Sequence, residues 1–234
     1  MYIQKRIEIL QQMYALFDSF ARTLDLACKA GCADCCTRNV TMTTMEAFLV
    51  RQYIEKNGMF HLLTGVSSLA GGKRFLPRMS INSMANRCVK GEPLLEEEPH
   101  DPSVGPCPLL SKDMCPVYPV RPFACRMMIS SKKCEGLGFA EMDEFAVTVS
   151  NVFSQYIEHI DMRGYTGNLI DILPLFDGAI DSEDYILQGA PKLDTETVLP
   201  NLPVPVLMIP PEHREKVQPL LKELDKLNAR NTAE

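Results

Sequence analysis

No apolar run in the 234 residues comes near the roughly 20 that a membrane-spanning helix needs. The opening Met1-Tyr2-Ile3-Gln4-Lys5-Arg6-Ile7-Glu8 lacks a basic-then-apolar signal layout, and Glu8 and Asp18 place charge within the apolar residues of this end of the chain. The expected compartment is therefore the cytoplasm, with no membrane partner. A basic surplus is missing as well. The net charge of −6 and pI near 5.3 argue against a nucleic-acid partner, because phosphate binding needs an excess of cations. No internal repeat or low-complexity tract occurs. The 46% hydrophobic and 23% charged residues are ordinary globular usage, which excludes global disorder and leaves enough apolar material for a core. Also absent are a G-x-G-x-x-G, an H-E-x-x-H, a G-x-S-x-G elbow and a phosphate loop; Gly71-Gly72-Lys73-Arg74 has the wrong spacing for the last. The last hundred residues hold no cysteine.

All nine cysteines lie between Cys28 and Cys134, 9 in 107 residues or about 8%, the density of a cysteine scaffold. An odd number cannot pair fully into disulfides, and a reducing compartment would not keep them, so clustered thiols point to metal. Charge follows the same partition. Residues 28–134 hold 14 Lys and Arg against 9 Asp and Glu, a surplus of +5. Residues 141–197 hold 12 Asp and Glu against Arg163 and Lys192, a deficit of −10. A basic surplus suits a site of gathered thiolates.

Ile3, Ile7, Leu10, Met13, Tyr14, Phe17, Phe20 and Leu24 recur at helical spacing and predict an amphipathic helix running to about Leu26, with Cys28 just past its end. Cys28-x3-Cys32-x2-Cys35-Cys36 comes next, in a tight turn with Gly31 and Asp34. Thr43-x-x-Glu46 is a capping box opening a second helix over residues 44–56, closed by Asn57-Gly58. Residues 59–106 are less regular, with a short helix expected over residues 80–90 carrying Cys88 and an exposed connection over residues 92–105. Pro106, Pro108, Pro116, Pro119 and Pro122 forbid a continuous helix through Cys107, Cys115 and Cys125. Residues 142–160 read as a third helix, residues 204–209 as strand-like, and Pro211-Glu212 as the start of a final helix with Val217, Leu220, Leu221, Leu224 and Leu227 on its apolar stripe. The fold class expected is mainly α, with helices framing an irregular cysteine-rich loop region and little strand. Residues 1–134 form the cysteine-rich region with its N-terminal helix, and residues 135–234 a cysteine-free, mainly helical extension packed on it in one compact unit.

The run Cys32-x-x-Cys35-Cys36, the Thr43-x-x-Glu46 helix start, Cys107-Pro-Leu-Leu, and Cys115-x-x-Tyr118-x-x-Arg121-Pro122-x-x-Cys125-Arg126 resemble the CxxCxxCC cysteine-cluster family (YkgJ-like) over residues 28–126. The family is described as zinc- or iron-chelating, in places as iron–sulfur oxidoreductases. One departure is the three-residue spacing between Cys28 and Cys32, where the family name implies two. The resemblance implies a metal ligand pool of Cys32, Cys35, Cys36, Cys107, Cys115 and Cys125, with Cys28 next. Cys88 and Cys134 fall outside it and read as buried, inert thiols. Arg121 and Arg126 could donate hydrogen bonds to sulfur, or instead pair with carboxylates; Tyr118 could donate its hydroxyl or pack in the core. His61, His100, His159 and His213 stand far from the cysteines in sequence and read as surface or core residues.

Adjacent side chains diverge, so Cys35 and Cys36 sit awkwardly on one small tetrahedral ion but can bind different irons of a cluster. Six or seven thiols also exceed what one zinc uses. The expected cofactor is an iron–sulfur cluster with a redox or electron-transfer role, the alternative a zinc-stabilised structural or interaction module without catalysis. The expected partner is a protein or redox partner. Some larger relatives join this cysteine pattern to methyl transfer, but no segment here resembles a methyl-donor site.

Overall fold

The computed structural model describes residues 2–29, 31–96, 101–134, 140–193 and 196–232. Helix α1 spans Tyr2–Ala21 and buries the expected stripe: Ile3, Ile7, Leu10, Met13 and Phe17 are each at most 2% exposed. At about 1.5–3 kcal/mol per buried side chain, this packing outweighs helix propensity in holding the element. The helix stops five residues short of Leu26. Thr23 turns its hydroxyl and amide onto the Phe20 carbonyl (2.7 and 2.9 Å) and ends the ladder, while Leu24 and Leu26 still pack on the core in irregular chain.

The chain returns through β1 (Thr41–Thr43) into α2 (Thr44–Lys56). The capping box forms as read, Thr43 Oγ1 accepting from the Glu46 amide (3.3 Å) and Glu46 accepting from the Thr43 amide (2.8 Å). A further short helix, α3 (His61–Ser67), lies in the stretch read as irregular. Helix α4 (Ile81–Lys90) starts at the Ser80 cap and ends at Gly91. After α5 (Phe123–Arg126) comes α6 (Glu144–Ile160), capped by Asp143. The remaining elements are β2 (Tyr165–Asn168), α7 (Leu169–Ile172), α8 (Ser182–Gln188), β3 (Val198–Pro200) and α9 (Arg214–Thr232). The fold is mainly α with one small antiparallel sheet, ordered β1-β2-β3, in which Met42 faces Gly167 and Gly167 faces Val198. Residues 204–209 form no strand. Pro203, Pro205 and Pro210 deny the segment ladder donors, and its polar backbone groups go to α6, the Met208 amide donating to Gln155 Oε1 (2.9 Å) and the Val206 carbonyl accepting from Gln155 Nε2 (2.8 Å).

Two carboxylates near the end of α6 seat the starts of other helices. Glu158 accepts from Ser80 Oγ (2.7 Å) and the Asn82 amide (2.9 Å) at α4. Asp161 accepts from Thr44 Oγ1 (2.7 Å) and the Met45 amide (3.0 Å) at α2, and from Tyr185 and Asn201. Both sit where a helix N-terminus favours negative charge. Burial pushes the Asp161 carboxyl up to about 7, against the pull of these donors. Gly164 completes the corner: a Cβ there would overlap Thr44 Oγ1 and the Asp161 carboxylate. Phe17, Phe123 and Phe153 meet with ring centroids 4.8–5.9 Å apart and join α1, α5 and α6 beneath the cysteine loops.

A cysteine-lined cavity as candidate metal centre

The thiols come together from the loop after α1, the loop that carries Cys107 and Cys115, α5, and the segment after α5 that ends at Cys134. The first loop leaves α1 and turns at Gly31, whose φ of +86° suits a residue without Cβ. Its near end is held by the Ala27 amide on the Ser130 carbonyl (2.8 Å) and by the Ser130 amide donating to Cys28 Sγ (3.2 Å). Its far end is held by the Cys107 amide on the Cys36 carbonyl (2.8 Å), the Arg38 amide on the Gly105 carbonyl (3.1 Å) and a bridge between Thr37 and Pro106. The second loop makes a two-residue hairpin between Cys107 and Cys115: Ser111 and Met114 exchange backbone bonds of 2.8 and 3.0 Å, with Lys112 and Asp113 at φ of 49° and 59°. A 3₁₀ turn at Tyr118–Val120 then leads through Pro122 into α5, which carries Cys125.

These loops line an open cavity of about 1110 Å³, at which Cys28, Cys32 and Cys35 are exposed. Cys28, Cys32, Cys35, Cys36, Cys107, Cys115 and Cys125 all line it, together with Cys134. Apolar side chains such as Leu24, Leu26, Leu109, Val117 and Ile129 fill the wall between them, and from beyond Cys134 the described lining takes only Ala140 and Leu169. Cys134 is the residue that sequence reasoning placed outside the site; two lysines precede it and no motif spacing reaches it. Cys88 lies elsewhere, exposed on α4 and not buried as read. His61, His159 and His213 do not line the cavity, and His100 lies outside the described residues.

Burial raises the Cys125 thiol well above its ordinary range, with the neighbouring Cys107, Cys115 and Cys35 adding to the effect. Burial also pushes Cys107 up to about 11 and raises Cys28 and Cys115. Cys35 is raised first by its hydrogen bond with Cys36 and then by burial. Five thiols shifted upward are the reverse of an activated nucleophile, which needs a lowered pKa. Arg121 opposes the trend at Cys115. Its guanidinium lies 3.8 Å over the Tyr118 ring, which is 46% exposed and so not core. The carboxylate pair that stood as the alternative forms for both arginines, Arg126 with Asp18 at 2.8 Å and Arg121 with Asp18 at 4.0 Å, and Arg126 also donates to the carbonyls of Pro119 (2.6 Å) and Arg121 (3.2 Å) above the Tyr14 ring. Arg126 ties the second loop to α1.

Among the described residues, no three Cys, His, Asp or Glu side chains stand close enough together to hold one metal ion. An all-thiol donor set of this kind suits soft metals. Comparison of the chain with protein-family models, with curated proteins and with solved structures gives no match.

Proposed function

We propose that the cavity holds an iron–sulfur cluster and that the protein has a redox or electron-transfer role. The observation that supports this most is the gathering of all seven motif cysteines, from segments some 70 residues apart, on the wall of one cavity. The resemblance to the CxxCxxCC family points the same way. Bound there, a cluster would supply one-electron transfer at a potential set by its surroundings. The chain's own residues do the rest. The cysteines would supply the thiolates that hold it and give up their protons on binding, so binding would tighten as pH rises. The Ser130 amide steadies Cys28, and Arg121 offsets charge beside Cys115.

The test is anaerobic purification followed by visible absorption and elemental analysis. The reading predicts a brown protein with charge-transfer bands near ~400 nm and matching iron and sulfide. A colourless protein carrying zinc would replace it with the structural-module reading, and a metal-free protein that takes up neither metal on reconstitution would end both.

A further inference from the structure

We propose that Arg38 anchors a second binding site, one for a small molecule carrying a phosphate or carboxylate group, outside the thiol-lined cavity. Thr37 and Asn39 on either side of it contribute to the cavity wall, and Arg38 does not. The site stands whether or not the thiols hold metal.

The Arg38 guanidinium is held in place and left without a counter-charge. The residue is half-buried, with Nε sealed from water and lacking an acceptor, so contact with solvent is left to the Nη1 and Nη2 ends. No carboxylate among the described residues pairs with it. By contrast, Arg51 meets Asp177, Arg74 meets Asp171, and Arg121 and Arg126 meet Asp18. The anions nearest in the fold are already engaged. Asp101 accepts from Lys73 Nζ (2.7 Å) and from the amide and hydroxyl of Ser103 (2.9 and 2.6 Å), and both Asp171 oxygens accept from Arg74. A partly desolvated charge with an unmade donor calls for a partner, and here the chain supplies none.

The surroundings fix the guanidinium between two glycine turns. A Cβ at Gly105 would lie 3.4 Å from its Cζ, Nε and Nη2, and one at Gly72 would lie 3.9 Å from Nη1. Gly105 has a φ of +103°, which a residue without Cβ adopts freely. Both turns are fastened to the same short stretch of chain. The Arg38 amide donates to the Gly105 carbonyl (3.1 Å), and Asn39 donates to the Asp101 carbonyl (2.9 Å) and accepts from the Phe75 amide (3.1 Å). Asn168 Nδ2 donates to the carbonyls of Arg38 (2.7 Å) and Phe75 (3.0 Å). A cation positioned in advance binds an anion at a smaller ordering cost, and the planar fork of Nη1 and Nη2 matches two oxygens of one phosphate or carboxylate.

Inorganic phosphate and acetate are titrated separately into the full-length chain at constant ionic strength, with binding read by calorimetry and as a rise in melting temperature. The wild type should saturate at one site with at least one of the two, and the one it prefers identifies the group recognised. Arg38→Gln should weaken that binding by about tenfold or more, and Arg38→Lys, which keeps the charge and loses the fork, should also weaken it. Because the guanidinium makes no bond in the free protein, neither variant should melt below the wild type without the anion; a purely structural arginine would lower it. Lys112→Gln, at an exposed position on the hairpin, should bind as the wild type does. No saturation by either anion, or equal affinity in Arg38→Gln, would overturn the site.

Discussion

The Glu46 carboxylate, buried under the start of α2, accepts three hydrogen bonds from three parts of the chain: Tyr14 Oη of α1 (2.7 Å), the Thr43 amide (2.8 Å) and the Phe123 amide at the start of α5 (2.6 Å). The last bond seats the helix that presents Cys125. Glu46→Ala strands three buried donors, at about 1–3 kcal/mol each where water cannot replace the acceptor. A loss of roughly 3 kcal/mol or more is expected, read as a lower urea midpoint, with a fall in bound metal. Glu46→Gln keeps the shape and one acceptor oxygen and should lose less. An unchanged midpoint in Glu46→Ala would show that the three bonds are not coupled to stability. The capping box itself was legible, because its signal lies within four residues; the bond to Phe123, 77 residues away, left no trace in the sequence. Cys134 was missed for the same reason, since its place depends on Ser130 and Ala27.

Among the elements, those with their own stop and start signals were read well. Thr43 caps α2 as expected, and α4 and α6, expected over residues 80–90 and 142–160, start at caps on Ser80 and Asp143. Periodicity alone misled at α1, because Leu24 and Leu26 continue to pack after the backbone has left the helix. The three strands are three or four residues long, too short for an alternating pattern to declare them, and the apolar residues 204–209 imitated one. Helix α9 gives the sharpest test of the division between site and extension. It buries Val217 and Leu224 completely and binds Tyr156 through Asp225 (2.6 Å), yet contributes nothing to the described cavity lining. Truncation after residue 209 should lower stability by several kcal/mol, at about 1.5–3 per exposed core side chain, while metal content per folded chain is retained. The cut must spare Asn201, which hydrogen-bonds Asp161. Loss of metal from a truncated chain that keeps its other helices would contradict this separation.

Across the whole molecule, the two halves are not independent. Strand β1 pairs with β2 across the division, and α1 lies against α6, α8 and α9. Part of the charge asymmetry serves this junction: Arg51 pairs with Asp177 and Arg74 with Asp171, so these cations meet the acidic half and not the thiols. What unites the cysteine groups is the cavity, whose wall takes side chains from residues 28–36 and from residues 107–134. Metal held across it would close long loops and add its binding free energy to folding. The most direct measurement is therefore the melting temperature of the metal-loaded protein against the same protein after chelation without oxygen, with metal loss verified. Coupling of ~4 kcal/mol would lower the melting temperature by roughly 10 °C in a chain of this size, and the account predicts a fall at least that large. An unchanged melting curve after complete metal loss would contradict a centre shared between the two cysteine groups.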